Sequence, residues 1–318
     1  MGIYNEDERA RPDLMELFAE RKRSGHVVQL CAPMVRYSRL PFRLLVKRYG
    51  TDAVFTPMLV SESFVLSQKA RDADFSTHAC DEPLIVQFAA NNAVRFAQAA
   101  ALVTPYASGV DLNCGCPQSW VMSEGYGSAL LSSPALIADM VTQTRNATCL
   151  PVSIKIRIND DMARTLELVQ RAEHAGVSFI TVHGRTPKQR TQPVNTEAIR
   201  FVKESCSVPV VANGDICTVA DVAKVKEETR VDGVMAARGM LANPGMYAGH
   251  TSATVGVIKD FVDLALSHSL TYFLFHQHLI YMLDTMLSRS EKREFNSLTS
   301  TAAVVEYLQT NLFPFDQH

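Results

Sequence analysis

Eight short apolar runs recur along the chain, at residues 27–34, 52–58, 83–89, 109–113, 152–158, 178–183, 208–213 and 232–236. Between them lie stretches with apolar residues at helical spacing, among them 92–103, 162–175, 197–204 and 219–227. A strand covered on both faces reads as an unbroken apolar run, whereas a helix laid against it keeps a period of about 3.6 residues. Eight such strand–helix units predict an α/β fold, a closed TIM (β/α)8 barrel, over an open doubly wound sheet. No G-x-G-x-x-G turn follows the first run, which weakens a dinucleotide-binding sheet further.

The pattern changes near Gly249. After a stretch rich in Thr, Ser and Gly (249–256), only helical periods remain, at 258–268, 272–287 and 300–311. The expected organisation is therefore an N-terminal, basic-ended extension (1–26), a barrel (27–248) and a small all-helical domain (249–318). His276 and His278 lie two apart, on different faces of a helix, and make a poor pair of metal ligands. From Gly249 onward four bases face seven acids, Asp316 among them, so any RNA contact there needs a local patch.

Charge and composition narrow the class. The 318 residues carry a net charge of -2, so no global field draws the chain to nucleic acid or membrane. Seven cysteines without a repeating spacing fit a reducing compartment. Cys114 and Cys116 form a C-x-C with no second pair at zinc spacing, and no metal site is expected. The start is acidic (Asn5, Glu6, Asp7, Glu8), unlike a leader sequence, and Glu6 stands where myristoylation after Gly2 needs Ser or Thr. No uncharged apolar run is long enough to span a membrane. A soluble, monomeric, cytoplasmic protein is expected, with a nuclear pool compatible with the same features. Locally, residues 21–50 hold eight bases and no acid. Such a run is commonly solvated helix surface, but it is also a candidate phosphate-contacting face, with Arg36, Arg39, Arg43 and Lys47 as RNA-contact candidates.

In a parallel barrel, functional groups gather at the C-terminal ends of the strands. Those positions hold Pro33 and Met34, Gln87, Asn113 with Cys116, Lys155 with Arg157, His183 with Arg185, Asn213 with Asp215, and Arg238. The turn around Cys116 stands out: an apolar run ends in Asp111, Leu112 and Asn113, then breaks at Gly115 and Pro117 with the thiol between them. An isolated cysteine in a turn is more often simple packing. The Asn113-x-Gly115-Cys116-Pro117 string, followed by Gly125-Tyr126-Gly127, favours chemistry. Two glycine turns, Ala212-Asn213-Gly214-Asp215 and Ala237-Arg238-Gly239-Met240, follow the seventh and eighth runs, where barrels bind phosphate through backbone N–H groups. A phosphate there, with Gln87 and Lys155 nearer the centre, suits flavin mononucleotide (FMN). Gln pairs with the edge of the ring, and Lys sits near its reduced, anionic form. A thiol beside a flavin suggests reduction of a polarised double bond, with hydride on one face and a thiol proton on the other. A cysteine of ordinary pKa, roughly 8.5, is protonated near neutrality, as an acid must be.

These motifs in this order resemble the tRNA-dihydrouridine synthases: Cys31-Ala32-Pro33-Met34 with Leu40-Pro41-Phe42-Arg43, Asn113-Cys114-Gly115-Cys116-Pro117 with Gly125-Tyr126-Gly127, Ile154-Lys155-Ile156-Arg157, His183-Gly184-Arg185-Thr186, Ala212-Asn213-Gly214-Asp215 and Arg238-Gly239. The resemblance implies an FMN-binding barrel followed by a helical tRNA-recognition domain, with NADPH as reductant of the C5=C6 bond of D-loop uridines. It implies that Cys116 is the acid at C5, that Asn113 and Arg185 hold the uracil, and that Lys155 and His183 lie beside flavin and base. Pro33, Met34, Gln87, Asn213, Gly214, Asp215, Ala237, Arg238 and Gly239 become flavin contacts. The branch implied is the eukaryotic one that acts at positions 20a and 20b. Two departures bear on how tRNA is seated: Trp120 where many members have Lys, and TQPVN at 191–195 where many have an aromatic-Gly pattern. A uracil in folded tRNA must be flipped out to meet a flavin. A flavin barrel acting on a free pyrimidine, as dihydroorotate dehydrogenases do, shares the chemistry but needs neither helical appendage nor basic face. A barrel that merely binds RNA needs no Cys116.

Overall fold

The computed structural model describes residues 12–313; Gly2, the acidic stretch 5–8 and Asp316 lie outside them. Among the described residues nine parallel strands form one sheet: β1 (Val28–Cys31), β2 (Ala53–Phe55), β3 (Leu59–Val60), β4 (Leu84–Ala89), β5 (Gly109–Cys114), β6 (Val152–Arg157), β7 (Phe179–His183), β8 (Val210–Asn213) and β9 (Gly233–Ala236). Pairing of β1 with both β2 and β9, and of β2 with β4, closes eight of them into a barrel. The short β3 runs beside the end of β4, with Leu59 opposite Phe88. The expected TIM barrel is present. Seven of its strands lie inside the apolar runs, and β5 continues one residue further, to Cys114. The runs are unbroken because both strand faces are covered: β4 and β5 are buried at all positions.

Expected helices form at Ala93–Val103, Met162–His174, Thr196–Glu204 and Val219–Thr229. Polar caps start them; in the last, the Thr218 hydroxyl and Asp221 carboxylate cap each other's backbone. Leu14–Arg23 is a helix too, and belongs to the barrel rather than trailing from it. Asp13 caps its first turn, Leu14 and Phe18 are buried, and the Phe18 ring lies 5.3 Å from that of Phe179. A Cβ on Gly109 would stand 3.2 Å from Leu14, and one on Gly233 3.3 Å from Phe18. The helix thus seals the N-terminal end of the barrel with apolar contacts, leaving the opposite end for chemistry.

Beyond Gly249 the chain is helical: Val255–Ser267, Tyr272–Leu283, Arg289–Ser297 and Thr301–Asn311. Arg289–Ser297 escapes an apolar-period reading because Phe295 is its one buried residue; the Ser288–Glu291 capping box starts it. This region grips helix Leu40–Arg48 and the turn before it. His278 donates from Nε2 to the Tyr37 carbonyl at 3.1 Å and stacks on Phe42 at 4.7 Å. His276 donates instead to the Phe295 carbonyl at 2.9 Å, so the two histidines do serve different faces. Among the described residues no helix is long and apolar enough to cross a membrane.

The basic run is largely neutralised. Arg21 pairs with Asp52, Arg23 with Glu16, Arg39 with Asp74, Arg43 with Asp81 and Arg48 with Asp260. Lys47 donates to the Asp52 carbonyl at 2.8 Å. Arg43 is buried, its guanidinium closed in by Asp81 (2.8 Å) and the Ser38 and Ser76 carbonyls. That position puts Arg43 out of reach of RNA, and its expected place on a phosphate-contacting face is corrected accordingly: the acid that neutralises it is 38 residues away in sequence.

Candidate active site

The C-terminal ends of the strands converge on a cavity of about 150 Å³ lined by Pro33, Gln87, Asn113, Cys116, Lys155 and His183, with Val35, Met58, Gly115, Pro117 and Arg157 completing its walls. A second hollow, of about 80 Å³, shares His183 and is lined by Arg185, the Asn213–Gly214–Asp215 turn and the Ala237–Arg238–Gly239 turn. Met34 does not line either; its side chain is buried in the core. Arg36 and Arg39 border a separate hollow nearby.

Asn113 builds the Cys116 turn. Its Oδ1 accepts the N–H groups of Gly115 (3.1 Å) and Cys116 (2.9 Å), folding the chain back just past β5. Gly127, at φ 61°, packs against the outside of this turn, where a Cβ would fall 2.6 Å from the Cys116 carbonyl oxygen. That close approach explains the Gly125-Tyr126-Gly127 signal. The two thiols of the C-x-C part company here: Cys114 is fully buried in the core, and Cys116 faces the cavity. Burial raises the Cys116 pKa above its ordinary value, against a hydrogen bond from the Gln118 backbone and the charges of Lys155 and Arg157. The group is a thiol, not a thiolate, near neutrality.

A buried network holds Asn113 in turn. Asn113 donates to Gln87 Oε1 at 2.8 Å, Gln87 Nε2 donates to Asp111 at 2.8 Å, and Ser153 donates to the other Asp111 oxygen at 2.6 Å. Strand register makes this possible, since Gln87, Asp111 and Ser153 are lateral neighbours on β4, β5 and β6. Burial lifts the Asp111 pKa to about 6 despite the Ser153, Gln87 and Lys155 contacts that oppose it. Neither the part of Asp111, near the end of its apolar run, nor that of Ser153, inside the next, shows in the sequence, because each takes its role from a neighbouring strand. Gln87 uses one amide proton and its carbonyl on this network.

On the far side Lys155 donates to Asn213 Oδ1 at 2.8 Å, and Asn213 donates to the Met235 carbonyl at 2.8 Å. Burial, then Arg157, lowers the Lys155 pKa to about 8. Burial and the surrounding cations, Lys155 foremost, push His183 down to about 2, so its imidazole is neutral. Arg157 ties β6 to the turn by donating to the Gly115 carbonyl at 3.0 Å and the Thr186 carbonyl at 3.0 Å. Arg185 is buried, bound to Asp215 and, at 2.5 Å, to the Gln192 carbonyl. The TQPVN segment thus helps Asp215 to seat Arg185. Arg238 is largely exposed and meets the other oxygen of Asp215 at 3.1 Å.

The dihydrouridine synthase family matches residues 30–309, which takes in both barrel and helical region. The chain belongs to that family. It is 52% identical over 301 residues to a human tRNA-dihydrouridine(20a/20b) synthase-like protein, with 94% of each chain covered. It is 40% identical to the tRNA-dihydrouridine(20a/20b) synthase of Schizosaccharomyces pombe, covering 93% of this chain and 91% of that one. Among solved structures, the old yellow enzyme of Trypanosoma cruzi superposes with a TM-score of 0.51 at 12% identity, over 68% of this chain and 86% of that one, a likeness of barrel fold alone. Within this dihydrouridine synthase the departures noted in the sequence sit outside the cavity lining. Trp120 is 48% exposed on the short helix Ser119–Ser123, its Nε1 donating to Gln118 at 2.8 Å.

Proposed function

We propose that the protein reduces the C5=C6 bond of D-loop uridines in tRNA, at positions 20a and 20b, using FMN and NADPH. The observation that carries this reading is the Cys116 thiol: protonated, fixed by Asn113 on a tight turn, and facing a cavity lined by Lys155 and neutral His183. The residues present fit a flavin nucleotide. Arg238 stands exposed at the second hollow, the turns at Gly214 (φ 125°) and Gly239 bring backbone into its wall, and Lys155 offers an ammonium held by a neutral amide. A flavin held by Arg238, the two glycine turns and Lys155 would supply, once reduced by NADPH, the hydride needed at C6.

The chain's own groups do the rest. Cys116 Sγ–H gives its proton to C5, which balances the hydride with one proton. Asn113 keeps the thiol in place and, lining the same cavity, is the proposed uracil contact together with Arg185. Lys155 favours negative charge on the group beside it. Gln87, with one amide proton left over, has a hydrogen bond to offer at the cavity. Two measurements test the proposal: the visible spectrum of the purified protein, expected to show bound flavin, and chemical mapping of dihydrouridine in tRNA from cells with and without it. Loss of dihydrouridine at 20a and 20b alone is the expected result, and an unchanged map would sink the reading.

A further inference from the structure

A hollow of about 200 Å³ opens beside the catalytic cavity, and the chemistry above makes no use of it. Pro57, Met58, Leu59 and Phe64 give it an apolar floor, and Arg36 and Arg39 stand on its rim. Val35 and Met58 line this hollow and the Cys116 cavity alike, so the two are separated by one shared wall. Arg39 is anchored by the Ala73 carbonyl (3.2 Å) and Asp74 (3.6 Å), while its buried Nε has no partner. Asp74 also borders the hollow, but two guanidiniums against one carboxylate leave the rim positive. Arg36 is exposed, and within the basic run it is the one arginine that no described carboxylate pairs.

We infer that this hollow takes the nucleotide next to the target uridine in the RNA strand, its base on the apolar floor and its phosphate against Arg36 and Arg39. The inference rests on the proposed reduction of uridine in tRNA. A uridine flipped out to reach Cys116 loses its stacking partner and leaves its neighbour unstacked at the cavity mouth. An unstacked base is accommodated by an apolar surface next to a cation, which is how single-stranded nucleic acid is held without sequence preference. The hollow supplies both, one wall from the thiol. Arg36 keeps its field where the other arginines of the run meet carboxylates.

Two substitutions in the flavin-loaded, full-length protein test this. Arg36→Glu reverses the rim charge. Ser63→Trp fills the hollow without changing charge, from an exposed position outside the catalytic cavity. Flavin content equal to wild type shows that each variant is folded. With a tRNA transcript as probe, each variant is expected to raise Kd about tenfold. Arg36→Glu is also expected to flatten the dependence of log K on log salt by about one. Reduction of the flavin by NADPH without tRNA should be unchanged in both. Wild-type affinity in Ser63→Trp overturns the inference, even where Arg36→Glu weakens binding through charge alone. Slower flavin reduction in either variant overturns it too, by placing the reductant's nucleotide in the hollow. A wild-type protein that binds no tRNA defeats the uridine reading itself, whereas tRNA binding untouched by both variants defeats this hollow alone.

Discussion

Two sets of cations, the run at 21–48 and the group at the strand ends, have opposite fates. In the run, five arginines meet carboxylates drawn from elsewhere in the chain. At the strand ends Lys155 and Arg157 meet neutral oxygens, and Arg185 and Arg238 share one carboxylate, Asp215. A carboxylate cancels a cation's field; an amide or carbonyl oxygen holds the cation and leaves most of the field in place. After burial, that field is the main reason His183 is held down to about 2. A count of bases along a sequence therefore says little about where positive potential survives.

The largest effect is expected at the thiol that sits among the surviving cations. In a single turnover with pre-reduced flavin, Cys116→Ala should lower dihydrouridine formation by roughly two to four orders of magnitude, the loss expected for a missing general acid. Flavin should remain bound and reducible. Cys114→Ala should act through core packing and leave most of the rate. The reverse result, an active Cys116→Ala and a dead Cys114→Ala, would break the assignment.

In the neutralised set, the deepest pair should behave as architecture. Arg43→Met leaves the buried Asp81 carboxylate without its cation and with only the Thr77 hydroxyl, at 3.3 Å, as a side-chain donor, at a cost of about 3–5 kcal/mol in stability. Urea unfolding followed by tryptophan fluorescence measures this. A drop in turnover per folded molecule, without a drop in stability, would place Arg43 in the working set instead.

A smaller effect is expected at Lys155, where the cation is kept but weakened as an acid. A lysine whose pKa is lowered to about 8 loses its charge as pH rises through 8 rather than through 10.5. The single-turnover rate should fall across that range in wild type, and Lys155→Met should be about 10- to 100-fold slower at neutral pH, with the break near 8 gone. Cys116 is expected to titrate above that break, because burial raises its pKa from the ordinary thiol value. Persistence of the break in Lys155→Met would assign it to another group. Smallest of all should be Arg48→Ala: its pair with Asp260 is half open to solvent, and its removal should change stability by less than about 1 kcal/mol.

Much of the barrel was legible residue by residue. The strand positions follow from unbroken apolar runs, because a strand covered on both faces has no polar alternation to blur them. The Cys116 turn was legible too, since Asn113, Gly115 and Pro117 are local instructions for the backbone. The helix Arg289–Ser297 was not, having one buried residue and hence no period to read. Nor was the plug at the barrel floor, because Leu14 and Phe18 gain their partners only where Gly109 and Gly233 leave room for them.

Local order and electrostatic order divide along the same line. Apolar period, caps and turn residues act over a few positions, and the chain's letters suffice to state where strands begin and which cysteine stands on the turn. Which cations keep an uncancelled field depends on acids 31, 38 and 212 residues away: Asp52 from Arg21, Asp81 from Arg43 and Asp260 from Arg48. The Ser153–Asp111–Gln87–Asn113 relay likewise crosses three strands whose lateral register closure of the barrel sets. Hydrogen bonds need contact and charge–charge attraction weakens with separation, so both answer to distance in space, and distance in space is assigned only when the barrel closes.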